Sequence, residues 1–66
     1  MIRPDYWTTA AQVCTPLELA TLELHIRNEL SLRSISLAQD VSLSTIRTRL
    51  FNAQRKILIA QRKDAA

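Results

Sequence analysis

SLSTIRTRLFNAQRKI, from Ser42 to Ile57, decides the fold. Ile46, Leu50, Ala53 and Ile57 recur at i, i+4, i+7 and i+11, one face of a 3.6-residue period, so the stretch reads as an amphipathic helix. Arg47, Arg49, Arg55 and Lys56 lie off that stripe, and no acid interrupts them. Such a helix buries one side in a small core and offers the other to something negatively charged.

The chain around it is one small domain of 66 residues. At this size folding buries only about 60% of the unfolded surface, and no disulfide helps, because Cys14 is the only cysteine. One cysteine also excludes a zinc finger, and it reads best as a small, partly buried hydrophobe. No apolar run approaches the ~20 residues of a membrane span, and MIRPDYW lacks the apolar core of a signal peptide. The expectation is a cytoplasmic protein with no membrane partner.

Charge is unevenly placed. The net charge is +3, but six of the nine Lys/Arg fall between Arg47 and Lys63, a window of +6 with no acid. The rest of the chain holds three cations and six acids, or −3. This asymmetry points to a polyanion-binding C-terminal half. Glycine is absent, which excludes Gly-rich phosphate loops and leaves tight turns to Asn, Asp, Ser and Pro.

Upstream, residues 1–14 form an N-terminal segment or short helix, with Asp5 as N-cap. Tyr6 and Trp7 read as anchors laid on the core rather than a base-stacking pair, since no further aromatics surround them. Thr15-Pro16-Leu17-Glu18 is a helix start: Thr15 caps, Pro16 suits the first position and Glu18 completes a capping box. That helix, 15–30, carries the stripe Leu19, Leu22, Ile26 and Leu30, widened by Leu17 and Leu24, with a Glu23–Arg27 pair at i, i+4. Asn28-Glu29 closes it, with Asn28 in the left-handed position. A second helix, 31–40, starts on Ser31 and turns Ile35, Ala38 and Val41 inward. Asp40 makes the turn, and Ser42 caps a final helix and extension, 42–62. The fold class is all-α, a small three- to four-helix helix-turn-helix domain.

ISLAQDVSLSTIRTRLFNAQRKI resembles the C-terminal promoter-reading domain of bacterial sigma factors of the extracytoplasmic-function type. The likeness rests on Ile35, Val41, Ser42, Thr45, Ile46, Arg47, Thr48, Arg49, Leu50, Ala53, Arg55, Lys56 and Ile57, without a gap. Thr15, Pro16, Glu18, Leu22 and Leu24 resemble the first helix of that family and of the related LuxR-type domains. Ser36 stands where the family has Ala, Gln39 where a core Leu is usual, and Asp40 where the turn has Gly. A sigma factor of that kind also needs a polymerase-binding, promoter-melting domain, for which 66 residues leave no room.

The resemblance implies duplex DNA as partner. With the apolar stripe inward at 100° per residue, Ser44, Arg47 and Thr48 face outward near the N-terminal end of the last helix, where side chains reach base edges. Arg47 suits guanine O6/N7, and Leu43 or the Thr48 methyl a thymine methyl. Arg49, Lys56 and Lys63 recur along one flank and Arg55 and Arg62 along another. With Arg33, Thr45 and Asn52 they are expected at phosphates. Phe51, Leu58 and Ile59 lie off the core stripe and require a cover. Either Tyr6 and Trp7 fold onto them, the expectation preferred here, or a partner does, as a homodimer or RNA polymerase. The alternative function is therefore a sigma-like module that acts on transcription by protein contacts. One His, one Cys and no clustered carboxylates leave no catalytic or metal set, so no enzyme, cofactor or small-molecule substrate is expected.

Overall fold

The computed structural model describes residues 5–65 as four helices, with no strand among them. They are α1 (Tyr6–Val13), α2 (Pro16–Leu22, continuing through a π-helical turn at Glu23–Arg27), α3 (Leu32–Gln39) and α4 (Leu43–Ala65). The all-α expectation holds. Of the segment 1–14, residues 1–4 lie outside the described residues.

Each helix begins where the sequence places a cap. Thr15 Oγ1 accepts from Glu18 N (3.2 Å) while Glu18 Oε1 accepts from Thr15 N (2.9 Å), a complete capping box with Pro16 at the first position. Ser31 Oγ accepts from Ser34 N and Ser42 Oγ from Thr45 N, both at 3.1 Å. Asp5 occupies the N-cap of α1, and its carbonyl accepts from Thr9 N (3.0 Å), but its carboxylate does not cap the helix.

The helix ends differ from those expected. α2 stops at Arg27, not near Leu30, because its last turn widens: Asn28 N donates to Glu23 O (3.1 Å), five residues back. The left-handed residue is then Glu29 (φ 55), not Asn28 (φ −95). His25 Nδ1 lies 3.0 Å from Leu30 O, which fixes the ring proton on Nδ1 and ties the widened turn to the chain beyond it. α4 runs to Ala65, three residues past the expected end.

Asp40 is left-handed, as expected (φ 55, ψ 47). Val41 N donates to Ser36 O (3.0 Å) and Asp40 N to Leu37 O (3.3 Å), the bond pair that closes a helix on a left-handed residue. An L-residue pays for that conformation and glycine does not. Asp40→Gly is therefore expected to stabilise the domain by ~0.5 kcal/mol, a rise in melting temperature of roughly 2–4 °C. A fall on thermal melting would show instead that the Asp40 carboxylate supports the turn.

α4 is the hub and packs against α1, α2 and α3. Its 23 residues span roughly 34 Å, which sets the long dimension of a 39 × 18 × 17 Å molecule. Ile46, Leu50, Ala53 and Ile57 form its buried edge, as the periodicity requires, and Ala10, Leu22 and Ile35 meet them from the other three helices. Tyr6, Trp7, Leu19, Leu24, Ile26, Leu30 and Val41 pack around this centre half-buried. Two expected inward positions are exposed: Leu17, on the first turn of α2, and Ala38, near the end of α3. Each sits at the margin of its helix's apolar arc. α2 and α3 meet the core with narrower faces than the count of apolar residues implied.

Candidate nucleic-acid interface

The final helix is held in place by polar contacts as well as by its apolar edge. Arg49 Nη1 donates to Gln39 Oε1 (2.8 Å), Gln39 Nε2 donates to Thr21 Oγ1 (3.1 Å), and Thr21 Oγ1 donates to Leu17 O (2.8 Å). This chain links α4, α3 and α2 through the fully buried Thr21. It explains Gln39 at a position where a leucine would be ordinary: the amide offers one acceptor to α4 and one donor to α2, so its burial leaves neither end unpaired.

A second link joins α4 to the start of α2. Lys56 Nζ donates to Glu18 Oε1 at 2.8 Å, in an ion pair whose side chains are 42% and 10% exposed. The Lys56 hydrogen bond, and then the Thr15 amide, hold the Glu18 carboxyl below its ordinary value of 4.5. Cys14 lies beside this pair, its thiol donating weakly to Ala53 O (3.8 Å). Burial, and then the Glu18 charge, push the thiol's pKa up, so it behaves as the half-buried hydrophobe expected of it.

These contacts sort the six cations between Arg47 and Lys63. Arg49 and Lys56, both expected at phosphates, have partners inside the protein. Arg47, Arg55, Arg62 and Lys63 are exposed and have no ion pair among the described residues. Arg33 and Asn52 are exposed as well. Thr45 is half-buried, and its hydroxyl lies 2.9 Å from Ser42 Oγ within the cap of α4. At the N-terminal end of α4, Ser44, Arg47 and Thr48 are exposed together, and Leu43 is half-buried beside them. The first two turns of one helix thus carry an accessible row with a single cation, followed by a more basic shaft.

Glu23 pairs with Arg27 across 3.5 Å, at a distance and exposure where such a pair adds little. Arg27 also stacks over Trp7, 4.2 Å from the ring centroid, and Trp7 meets Tyr6 edge-on at 5.3 Å. Burial, and then the neighbouring Cys14, push the Tyr6 hydroxyl up. The two aromatics are core anchors of α1, as expected.

They do not cover the second apolar line of α4, contrary to the cover preferred above. Phe51 is 63% exposed, Leu58 52% and Ile59 44%. Tyr6 and Trp7 belong to a helix that packs on the core edge of α4, and the line of Phe51 and Leu58 faces the other way. With Gln54 and Arg55, these two side chains line a groove of about 260 Å³.

Among the described residues, no group of His, Cys, Asp or Glu has the clustering needed to hold a metal ion, and no helix is long and apolar enough to cross a membrane. The contacts that the sequence did not disclose are the long-range polar ones. Glu18 was legible as a capping residue, but its partner Lys56 is 38 positions away. Gln39, standing where the resembled family usually has a core leucine, is the one sequence signal that could have found the Thr21–Gln39–Arg49 network. No family model, curated protein sequence or solved structure matches this chain.

Proposed function

We propose that this chain is a small sequence-specific DNA-binding transcriptional regulator that works in the cytoplasm. In this reading α3, the turn at 40–42 and α4 are a helix-turn-helix unit like that of the sigma-factor domain it resembles. α4 enters the major groove of duplex DNA with its N-terminal turns leading. One observation carries it: Ser44, Arg47 and Thr48 are exposed side by side at the start of a helix whose Arg47–Lys63 window holds six cations and no acid.

Each residue then has a physical role. Arg47 presents two parallel donors to guanine O6 and N7. Ser44 and Thr48 donate to or accept from neighbouring base edges, with weak preference, and Leu43 contributes an apolar edge. Arg55, Arg62 and Lys63 supply phosphate contacts that set register without reading sequence, and Arg33 adds one from the start of α3. Arg49 and Lys56 hold α4 at its angle to α3 and α2, so their substitution acts first on the scaffold.

Selection from a random duplex library with the intact chain tests this directly. The expected result is an enriched site bound with a steep inverse dependence on salt. Arg47→Ala is expected to erase preference at one base pair, at a cost of ~1–3 kcal/mol, while Lys63→Ala weakens all duplexes alike and lowers the salt slope by about 1. No enrichment, or binding indifferent to salt, rejects the reading. A second reading, a sigma-like module acting through protein contacts, draws on the exposed Phe51 and Leu58. A complex with RNA polymerase that forms without DNA and is lost in a Phe51→Ser/Leu58→Ser variant would favour it.

A further inference from the structure

The uncovered apolar line on α4 is too regular and too basic at its edges to fit most occupants. Phe51 and Leu58 are seven residues apart, two helical turns or roughly 10 Å along the axis. Gln54 and Arg55 fill the turn between them and complete the groove. Arg47 lies one turn before Phe51 and Arg62 one turn after Leu58, both exposed. The rim therefore holds three arginines that have no ion pair among the described residues, and no acid lies between Arg47 and Arg62 in the sequence. An occupant must present apolar groups at a two-turn spacing and negative charge on either side of them.

Two occupants fail this test. A second copy of the chain, pairing α4 with α4, would set Arg47, Arg55 and Arg62 against an equally basic helix, and like charges across a desolvating contact oppose association. Duplex DNA would satisfy the arginines but not the groove. Leu58 is 14 residues beyond Ser44, roughly 21 Å along the helix, and a major groove about 12 Å wide leaves nothing apolar for it at that distance. An amphipathic helix meets both demands. Its apolar residues at i, i+3 or i+4 and i+7 match the Phe51–Leu58 interval, and carboxylates beside them face the arginines.

We propose that the groove of Phe51, Gln54, Arg55 and Leu58 docks an acidic amphipathic helix of a partner protein. Phe51 and Leu58 supply the apolar contact, and Arg47, Arg55 and Arg62 pair with acidic residues flanking the partner's apolar stripe. The proposal stands apart from the DNA reading, because docking is measured without nucleic acid. If both are true, the helix and the duplex compete for Arg47 and Arg55, and the partner displaces the protein from its site.

A random peptide library displayed on phage, selected against the intact chain and counter-selected against a Phe51→Ser/Leu58→Ser variant, tests the proposal. Both side chains are exposed, so the variant should keep the wild-type circular dichroism spectrum and melting temperature. The enriched peptides are expected to carry Leu, Ile or Phe at helical spacing with Asp and Glu alongside. As free peptides they should bind the wild type at least about tenfold more tightly than the variant. Arg55→Glu should weaken that binding, and a peptide with its acids changed to lysine should then bind Arg55→Glu better than wild type. Absence of enrichment, enrichment of basic or uncharged peptides, or equal binding to the variant overturns it. So does a concentration-dependent dimer in sedimentation that Leu58→Ser abolishes, which would give the groove to a second copy.

Discussion

Ile46→Ala is expected to lower the melting temperature by roughly 10–25 °C, enough to leave much of the protein unfolded at 37 °C. Ile46 is 0% exposed and belongs to the cluster formed with Leu22, Ile35, Leu50, Ala53 and Ile57. Truncating a buried isoleucine to alanine costs about 2–5 kcal/mol, from lost transfer energy and from the cavity left behind. A single core of this size rarely supplies more than about 3–5 kcal/mol of net stability. In a domain of 60–100 residues each kcal/mol moves the midpoint by roughly 4–8 °C, so a loss of about 2–3 kcal/mol, the lower part of that cost, corresponds to the stated range. Phe51→Ala on the same helix is the control. Its ring is 63% exposed, so its midpoint should stay within a few degrees of wild type. A small loss for Ile46→Ala, or a large one for Phe51→Ala, would mean that α4 presents a different face to the core.

The second large effect belongs to Glu18→Ala, expected to cost ~2–3 kcal/mol. Two contacts go at once. The capping box loses its return bond to Thr15 N, worth about 1 kcal/mol, and Lys56 loses a charge-assisted partner. A hydrogen bond to a charged group contributes about 1.5–3 kcal/mol when buried, and the lower end applies because Lys56 is 42% exposed. The same contacts make stability depend on pH. The folded-state pKa of Glu18 lies below its ordinary value of 4.5. Its contribution is thus fully present above that value and is lost as pH falls from there through the depressed folded value. Glu18→Gln keeps the side chain's shape and its acceptor but carries no titrating proton. Urea unfolding of wild type and Glu18→Gln from pH 7 down to pH 3 should therefore show curves that diverge at neutral pH and approach one another in acid. A constant gap between them would remove Glu18 from the acid response.

These two residues also show how far the sequence could be read. Ile46 announces itself, because a run with apolar positions at i, i+4, i+7 and i+11 has one face that water disfavours. Every member of that stripe is buried. The caps at Thr15, Ser31 and Ser42 are equally legible, since the donor and acceptor lie within three residues of each other. Glu18 is half legible: its local bond follows from the Thr-Pro-Leu-Glu pattern, while its bond to Lys56 needs α2 and α4 to be packed side by side. Lys56 and Arg49 therefore looked, by charge alone, like members of an exposed basic face. Leu17 and Ala38 erred in the opposite direction, as apolar residues assigned to a core that their helices do not turn far enough to reach.

For the candidate site, the sequence defined a basic helix and the row Ser44, Arg47 and Thr48. It did not say which cations remain accessible. That depends on neighbours supplied by other helices, and packing leaves Arg47, Arg55, Arg62 and Lys63 outside. Nor did it settle what lies over Phe51 and Leu58. Periodicity shows that a side chain is off the core stripe but not whether another element crosses above it, and among the described residues none does.

What the sequence determined alone was everything carried by short-range physics: the helices from Thr15 onward, the caps at Thr15, Ser31 and Ser42, the turn at Asp40 and the buried edge of α4. Hydrogen bonds within a turn and the 3.6-residue period depend only on neighbours along the chain. The tertiary structure alone decided the Thr21–Gln39–Arg49 chain, the Glu18–Lys56 pair, the widened turn that moves the left-handed residue to Glu29, and the open groove on α4. Each depends on where one helix axis lies relative to another. That is fixed by the shapes of packed side chains and not by the order of residues within any one helix.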